Sequence, residues 1–305
     1  MVKSQKTAYP ASVWLALLAV YLVWGSTYLA IRFAIESIPP FLMAGTRFLT
    51  SGLILYGFMR FQGIAPPRSI HWRSALIIGF FLLVVGNGGV SWAEKWVPSG
   101  IAALLVGTVP LWMALLEWKR GIQSGLKVWL GIFLGMAGIA LLVFPHSQGA
   151  VTWDPWAALL LVGTSLGWSY GSLYARTAPL PASALMATSL EMMAGGACQL
   201  LVGLLLGEAS QFHWADLTSH SVNAWVYLTL VGSLVGFTAY IWVLQKATPG
   251  LASTYAFVNP VIAVFLGWLM AGEALTPTVF GAAGLIVGAV VLITIGRPKT
   301  NKIRR

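Results

Sequence analysis

The chain has 305 residues, of which 58% are hydrophobic and only 9% are charged, and its mean hydropathy is +0.82. Soluble domains carry about 25% charged residues, so this chain has too few charges to cover a surface that faces water. The net charge of +10 would suggest nucleic acid in a soluble protein. Here the basic residues are spread over many short segments, which favours the lipid bilayer as partner and excludes nucleic acid.

Apolar stretches long enough to cross about 30 Å of hydrocarbon recur along the whole chain and predict about ten transmembrane helices. In chain order they lie near residues 12–33, 40–61, 73–93, 98–118, 127–144, 155–175, 182–206, 222–245, 251–271 and 277–296. The first stretch has no charge from Thr7 to Ile31, which is too long for a signal-peptide core of about 7–15 residues. The predicted fold class is an all-α integral membrane protein.

The basic residues predict the orientation, because cytoplasmic loops hold an excess of Lys and Arg. With the N-terminus inside, the inner segments hold 15 of the 18 basic residues. The outer segments keep only Arg32 and Lys95, and they hold the acids Glu36, Glu94, Asp154, Glu208, Asp216 and Glu273. We therefore predict cytoplasmic termini in a bacterial-type plasma membrane.

The second half of the chain repeats the first. The segment from Trp24 to Arg32 aligns with the segment from Trp168 to Arg176 at an offset of 144. An offset of 150 pairs further residues, namely Ser99-Gly100 with Pro249-Gly250, Pro110 with Pro260, Trp118 with Trp268, Gly131 with Gly281 and Gly138 with Gly288. These matches predict two five-helix repeats, 1–146 and 147–305. Because five is odd, the second repeat is inverted, which is typical of secondary transporters with a site near the midplane.

Several motifs of the chain are similar to those of the EamA-type drug/metabolite transporter superfamily, and within it to the YedA-like exporters. They are Trp24-Gly-Ser-Thr-Tyr, Glu36-Ser-Ile-Pro-Pro, Met43-Ala-Gly-Thr-Arg-Phe, Gly86-Asn-Gly, Val97-Pro-Ser-Gly-Ile-Ala-Ala, Thr254-Tyr-Ala-Phe-Val-Asn-Pro and Gly272-Glu-Ala-Leu-Thr. The resemblance implies ten helices, both termini inside and export of metabolites, amino acids or toxic compounds through a central cavity. One departure is Gln123, which stands in the first repeat where the second has Glu273.

Two ionisable residues lie well inside predicted spans, Arg47 and Glu191, at equivalent repeat positions. Charge in the bilayer interior costs at least about 2.5–3.5 kcal/mol, so such residues usually face a cavity or a partner. Their estimated depths differ by about 5 Å, which makes a direct pair doubtful. Either they line the pathway or they pack and pair between helices. We hypothesise that Glu191 is a proton or cation site.

Mid-span aromatic and polar residues predict a substrate cavity for amphipathic or aromatic small molecules. The candidates are Trp24, Tyr28, Asn87, Trp168, Ser172, Tyr255 and Asn259. The alternative for the Trp and Tyr residues is a place in the aromatic belt at the membrane interface. Pro110 and Pro260 predict helix breaks, since each frees the backbone carbonyl four residues earlier for a ligand or water.

A membrane-embedded enzyme and a non-transporting scaffold are the competing interpretations. Two overlapping Gly-x-Ser-x-Gly strings, around Ser165 and Ser169, lie in a predicted helix rather than in the strand–turn–helix that a nucleophile elbow needs. No metal-ligand or phosphate-loop motif occurs. We therefore predict no catalytic residue, no metal and no cofactor. The sequence predicts a secondary transporter that exports small organic metabolites by alternating access, with the substrate identity and oligomeric state open and protons as a candidate coupling ion.

Overall fold

The computed structural model describes residues 9–121, 125–143, 153–247 and 254–296, which are mostly helical and contain no strand. The long helices are α1 (Ala11–Ala34), α2 (Pro40–Phe61), α3 (Ser69–Ala93), α4 (Ser99–Lys119), α5 (Leu126–Val143), α6 (Pro155–Ala175), α7 (Ala184–Leu205), α8 (219–246), α9 (Tyr255–Ala271) and α10 (Pro277–Gly296). A helical turn at Glu208–Gln211 and a 3₁₀ turn at Trp214–Asp216 lie between α7 and α8.

Six of these helices are long and apolar enough to cross a membrane: α1, α2, α3, α4, α7 and the first 22 residues of α8. Shorter apolar helices lie within α5, α9 and α10. The chain is therefore an all-helical protein with several membrane-spanning segments. The predicted stretch at 251–271 begins outside the described residues. Gln123 and the Pro249-Gly250 part of the repeat also lie outside them.

Proline, glycine and short polar side chains set the helix boundaries. Pro40 and Pro155 are the first residues of α2 and α6, where a missing N–H is no loss. The Ser183 hydroxyl accepts a hydrogen bond from the Met186 amide at the start of α7. Gly272 ends α9 in the left-handed conformation, with φ of 65°, which glycine adopts without strain.

Two helix pairs cross at very short distance, and each pair takes one helix from either half of the chain. In the α2–α7 pair, a Cβ on Gly196 would lie 2.6 Å from the Leu49 nitrogen, and one on Gly52 would lie 2.8 Å from the Met193 nitrogen. In the α5–α10 pair, a Cβ on Gly131 would lie 2.8 Å from the Ala289 oxygen. The glycines thus allow the backbones to approach closely, as in other membrane helix pairs.

The remaining helices also pack across the halves. Helix α1 packs against α8 and α9, while α6 packs against α3 and α4. Helices α4 and α9 pack against each other as well. These contacts are symmetric between the halves: α1 contacts α8 and α9 in the same way as α6, its equivalent five helices later, contacts α3 and α4.

Helices α3 and α8 share an irregularity. Each contains a π-helical segment, Phe80–Gly88 in α3 and Leu228–Val235 in α8. Segments of this kind leave backbone groups free for other partners and are frequent at functional sites. Several carbonyls in these segments accept side-chain hydrogen bonds. For example, Gln199 Nε2 donates to the Leu83 oxygen (2.7 Å), and Ser51 Oγ donates to the Thr229 oxygen (3.0 Å).

Candidate functional site

An aromatic cluster surrounds Trp24 in the middle of α1. The Trp24 ring lies 5.2 Å from Phe237, 4.9 Å from Tyr240 and 5.2 Å from Tyr255, measured between ring centroids. Tyr240 and Tyr255 also contact each other, with centroids 5.4 Å apart. The predicted residues Trp24 and Tyr255 therefore lie side by side, in edge-to-face geometry, with two residues of α8 completing the cluster.

Glycines of the neighbouring helices make room for both predicted tryptophans. A Cβ on Gly236 would lie 2.5 Å from Trp24 Nε1, and one on Gly86 would lie 2.7 Å from Trp168 Cε3. The Trp24 indole also donates to the Gly232 carbonyl in the π-helical segment of α8, at 3.3 Å. Both rings are thus packed between helices.

The predicted asparagines keep polar atoms without a partner in the protein interior. Asn259 on α9 is buried, and its Oδ1 has no hydrogen-bond partner within the described part of the chain. The same is true of Asn87 Oδ1 in the π-helical segment of α3. Tyr28 and Ser172 are half-buried on α1 and α6. Tyr28 packs against the apolar core formed by α3, α4, α5, α6 and α10.

Arg47 is 2% exposed, between α2 and α8. Its Nε donates to Ser233 Oγ at 3.0 Å, and its guanidinium carbon lies 4.5 Å from the centre of the Phe48 ring. One terminal nitrogen, Nη1, has no hydrogen-bond partner among the described residues. Arg47 forms no ion pair with Glu191.

Glu191 is half-buried on α7 and lines a small cavity of about 20 Å³ with residues of α3, α7 and α8. The other lining residues are Gly79, Leu82, Leu83, Thr188, Met192 and Phe237. Because Phe237 also contacts Trp24, the cavity at Glu191 adjoins the aromatic cluster. A carboxyl group and an aromatic wall therefore lie next to each other between the two halves of the chain.

The two prolines predicted to break helices lie near each other, but only α4 is interrupted, and α9 continues through Pro260. Helix α4 is interrupted at Gly107 and Thr108, just before Pro110, while Pro260 lies inside α9. A Cβ on Gly107 would be 2.8 Å from Pro260 Cγ. The interruption of α4 thus coincides with its close contact to α9.

Both serines of the Gly-x-Ser-x-Gly strings connect α6 to α4. Ser165 Oγ donates to the Leu105 oxygen at 3.1 Å, and Ser169 Oγ donates to the Val109 oxygen at 3.1 Å. Both side chains are fully buried. These hydrogen bonds lie on either side of the interruption of α4, so they hold this irregular backbone against α6.

A larger concave surface lies away from the predicted residues. This groove, of about 620 Å³, runs between α2, α3 and α7. Its lining is apolar except for Arg73, and it includes Trp72 and Cys198. It contains none of the residues predicted for the substrate cavity.

Three functional candidates were not identified from the sequence. Phe237 and Tyr240 share a face of α8, three residues apart, and this spacing is the one signal that was available. Glu94, an acid predicted in an outer loop, is 0% exposed. No pattern in the sequence distinguishes it from the exposed acids of the same side.

The fold and the site define a helical membrane protein with an arginine, a carboxyl group and an aromatic cluster between its two halves. The EamA-like transporter family matches this chain over residues 11–144 and again over 155–295. The chain belongs to this family, as a YedA-like member of the drug/metabolite transporter superfamily, which confirms the resemblance of the motifs.

Two relatives illustrate the family. The uncharacterized inner membrane transporter YedA of Escherichia coli (strain K12) is 41% identical over 287 residues, which cover 92% of this chain and 90% of YedA. The uncharacterized transporter YoaV of Bacillus subtilis (strain 168) is 22% identical over 286 residues, covering 92% of this chain and 96% of YoaV. A solved crystal structure has a similar fold, with a TM-score of 0.61, 20% identity and coverage of 93% of this chain and 97% of that chain.

Proposed function

We propose that this protein is a secondary transporter that exports small organic metabolites across a bacterial-type inner membrane by alternating access. In this proposal, ten spans form two inverted repeats, 1–146 and 147–305, with both termini in the cytoplasm. The names of its relatives support transport as the function. The two separate family matches support the division into repeats.

One observation carries the proposal: Phe237 contacts Trp24 and also lines the cavity at Glu191. Trp24 and Glu191 come from different halves, so the space between them changes when one half moves relative to the other. A solute bound there would be exposed to one side of the membrane and then to the other, as inverted repeats allow.

The chemistry of the site supports amphipathic solutes with an aromatic ring. The aromatic cluster around Trp24 offers ring faces and edges, which stack on other rings. The side-chain oxygens of Asn87 and Asn259 and one nitrogen of Arg47 are buried and have no hydrogen-bond partner among the described residues. A buried polar atom of this kind is costly unless something binds it. Aromatic amino acids, purine-like metabolites and lipophilic cations therefore form the panel of candidate substrates.

The test is solute flux in proteoliposomes that contain the purified protein. We expect saturable flux of one class of the panel, with and without an imposed pH gradient. Trp24→Ala should reduce this flux about tenfold, because a lost aromatic contact is worth up to about 1.5 kcal/mol. The matched control is Trp14→Ala on the same helix, since Trp14 is 52% exposed on the outside of α1.

Two results would contradict the proposal. Absence of flux for every solute, from protein shown to be folded, would favour a scaffold or an enzyme. An equal loss of flux in the Trp24 and Trp14 variants would show that the aromatic cluster does not line the transport pathway. If the pH gradient changes the rate, Glu191→Gln should abolish that dependence.

A further inference from the structure

The loop between α3 and α4 buries a carboxyl group. Glu94 directly follows Ala93, the last residue of α3, and its side chain is 0% exposed. Neither carboxylate oxygen has a hydrogen-bond partner in the described ranges. An ionised carboxylate without partners is strongly disfavoured in a protein interior, whereas the protonated acid is neutral.

The neighbouring cation Arg32 does not neutralise the carboxyl group of Glu94. Arg32 Nη1, from α1, donates to the backbone oxygen of Glu94 at 2.6 Å, and it forms no ion pair with the carboxylate. Tyr28, one turn earlier on α1, lies within electrostatic range of Glu94. The hydrogen bond of Arg32 therefore ties α1 to the loop and leaves the acid unpaired.

A second carboxylate lies close by and is fully engaged. Glu273, in the loop between α9 and α10, accepts hydrogen bonds from the Ser99 amide (2.6 Å), the Ser99 hydroxyl (2.7 Å) and the Gly100 amide (2.9 Å). It thus caps the N-terminus of α4, where the helix dipole favours negative charge. A second negative charge on Glu94 would be repelled by it.

Three other charged groups at this end of the molecule have contacts away from Glu94. The Asp154 carboxylate accepts from the Trp156 amide at the start of α6. Glu208 accepts from the Phe41 and Leu42 amides at the start of α2. Lys95, the next residue in the loop, is exposed and lies over the Trp96 ring.

We propose that Glu94 is a proton-binding site on the outer side of the membrane, and that its proton controls the contact between the two halves there. This inference rests on the proposed function for the outer location of Glu94 and for its role in coupling. Burial raises the pKa of Glu94 well above its ordinary value, the charge of Glu273 raises the pKa further, and Arg32 opposes this. The packing around Glu94 therefore favours its protonated form.

Protonation and contact are linked by the geometry. With Glu94 protonated, Glu273 caps α4 and thereby joins the α9–α10 hairpin of the second half to the first half. Arg32 holds α1 to the α3–α4 loop within the first half. Loss of the proton places a negative charge beside Glu273 and draws Arg32 from the backbone oxygen toward the carboxylate. The repulsion between Glu94 and Glu273 weakens the outer contact between the halves, and a proton taken up from outside restores this contact.

The experiment is infrared difference spectroscopy of the purified protein across neutral pH. The probe is the carbonyl stretch of a protonated carboxylic acid, observed after the spectrum of the Glu94→Gln variant is subtracted from that of the wild type. We expect a band that titrates in this difference spectrum. Glu273→Gln should shift its titration to lower pH and Arg32→Gln to higher pH, because the two charges act in opposite directions. Glu36→Gln is the control, since Glu36 is exposed and pairs with His220.

Thermal stability in detergent gives an independent measurement. Because folding raises the pKa of Glu94, its stabilising contribution is present at low pH and is lost as pH rises through the folded pKa. Glu94→Gln should remove this part of the pH dependence. A difference spectrum without the acid band, or identical pH profiles in both proteins, would overturn the proposal. Neither measurement uses a solute, so failure of the transport function would give a separate result.

Discussion

Glu273→Ala tests whether the α9–α10 hairpin stabilises the fold by capping α4. The substitution removes the acceptor of three hydrogen bonds, from the Ser99 amide, the Ser99 hydroxyl and the Gly100 amide. A hydrogen bond to a charged group contributes about 1.5–3 kcal/mol, and loss of an N-cap costs about 0.5–2 kcal/mol. The hydroxyl can turn to another acceptor and the two amides share one carboxylate, so the terms do not add. We expect Glu273→Ala to lower the free energy of unfolding by about 3 kcal/mol.

The assay is reversible unfolding of the protein in mixed micelles, followed by the loss of helical circular dichroism. Glu273→Gln keeps one acceptor oxygen and should lose about 1 kcal/mol, mainly the interaction of the charge with the helix dipole. Glu36→Ala removes an exposed outer acid whose partner is His220, and should change stability by less than about 0.5 kcal/mol. A loss in Glu273→Ala no larger than in Glu36→Ala would refute the reasoning.

Two further predictions use the same unfolding assay. Gly196→Ala should lower the free energy of unfolding by about 2 kcal/mol through overpacking, because its Cβ would lie 2.6 Å from the Leu49 nitrogen. Gly57→Ala, whose Cβ would have nothing within 4 Å, should be neutral or slightly stabilising. Equal losses in the two variants would contradict this account of the α2–α7 crossing. Ser233→Ala should lose about 2 kcal/mol, because it removes the acceptor of the buried Arg47 Nε; no loss would show that Arg47 has another partner.

The sequence predicted most helix boundaries to within a few residues, and the differences have a physical cause. The stretch predicted at 40–61 coincides with Pro40–Phe61, because proline marks its start. Helix α3 begins at Ser69 rather than near 73, since its first turn contains polar residues such as His71. Hydropathy detects the part of a helix that lies in lipid, and it misses polar turns that extend the same helix into the interface.

The site was predictable in its residue types but not in its contacts. Mid-span position singled out Trp24 and Tyr255, which the structure brings together. Phe237 and Tyr240 were missed because an aromatic residue on one helix looks the same from sequence whether it faces lipid or a neighbour. Glu94 was placed among the acids of the outer side without a prediction of burial, since its surroundings include residues distant in sequence, Arg32 of α1 and Glu273 of the α9–α10 loop.

The measurement that tests the central claim most directly is counterflow in proteoliposomes. The vesicles are loaded with an unlabelled solute that the flux panel has identified, and a trace of the labelled solute is added outside. A carrier that alternates access exchanges the two, so the account predicts a transient accumulation of label inside, above its outside concentration. Trp24→Ala should slow this accumulation about tenfold. Label that only approaches the outside concentration would indicate a channel and contradict alternating access.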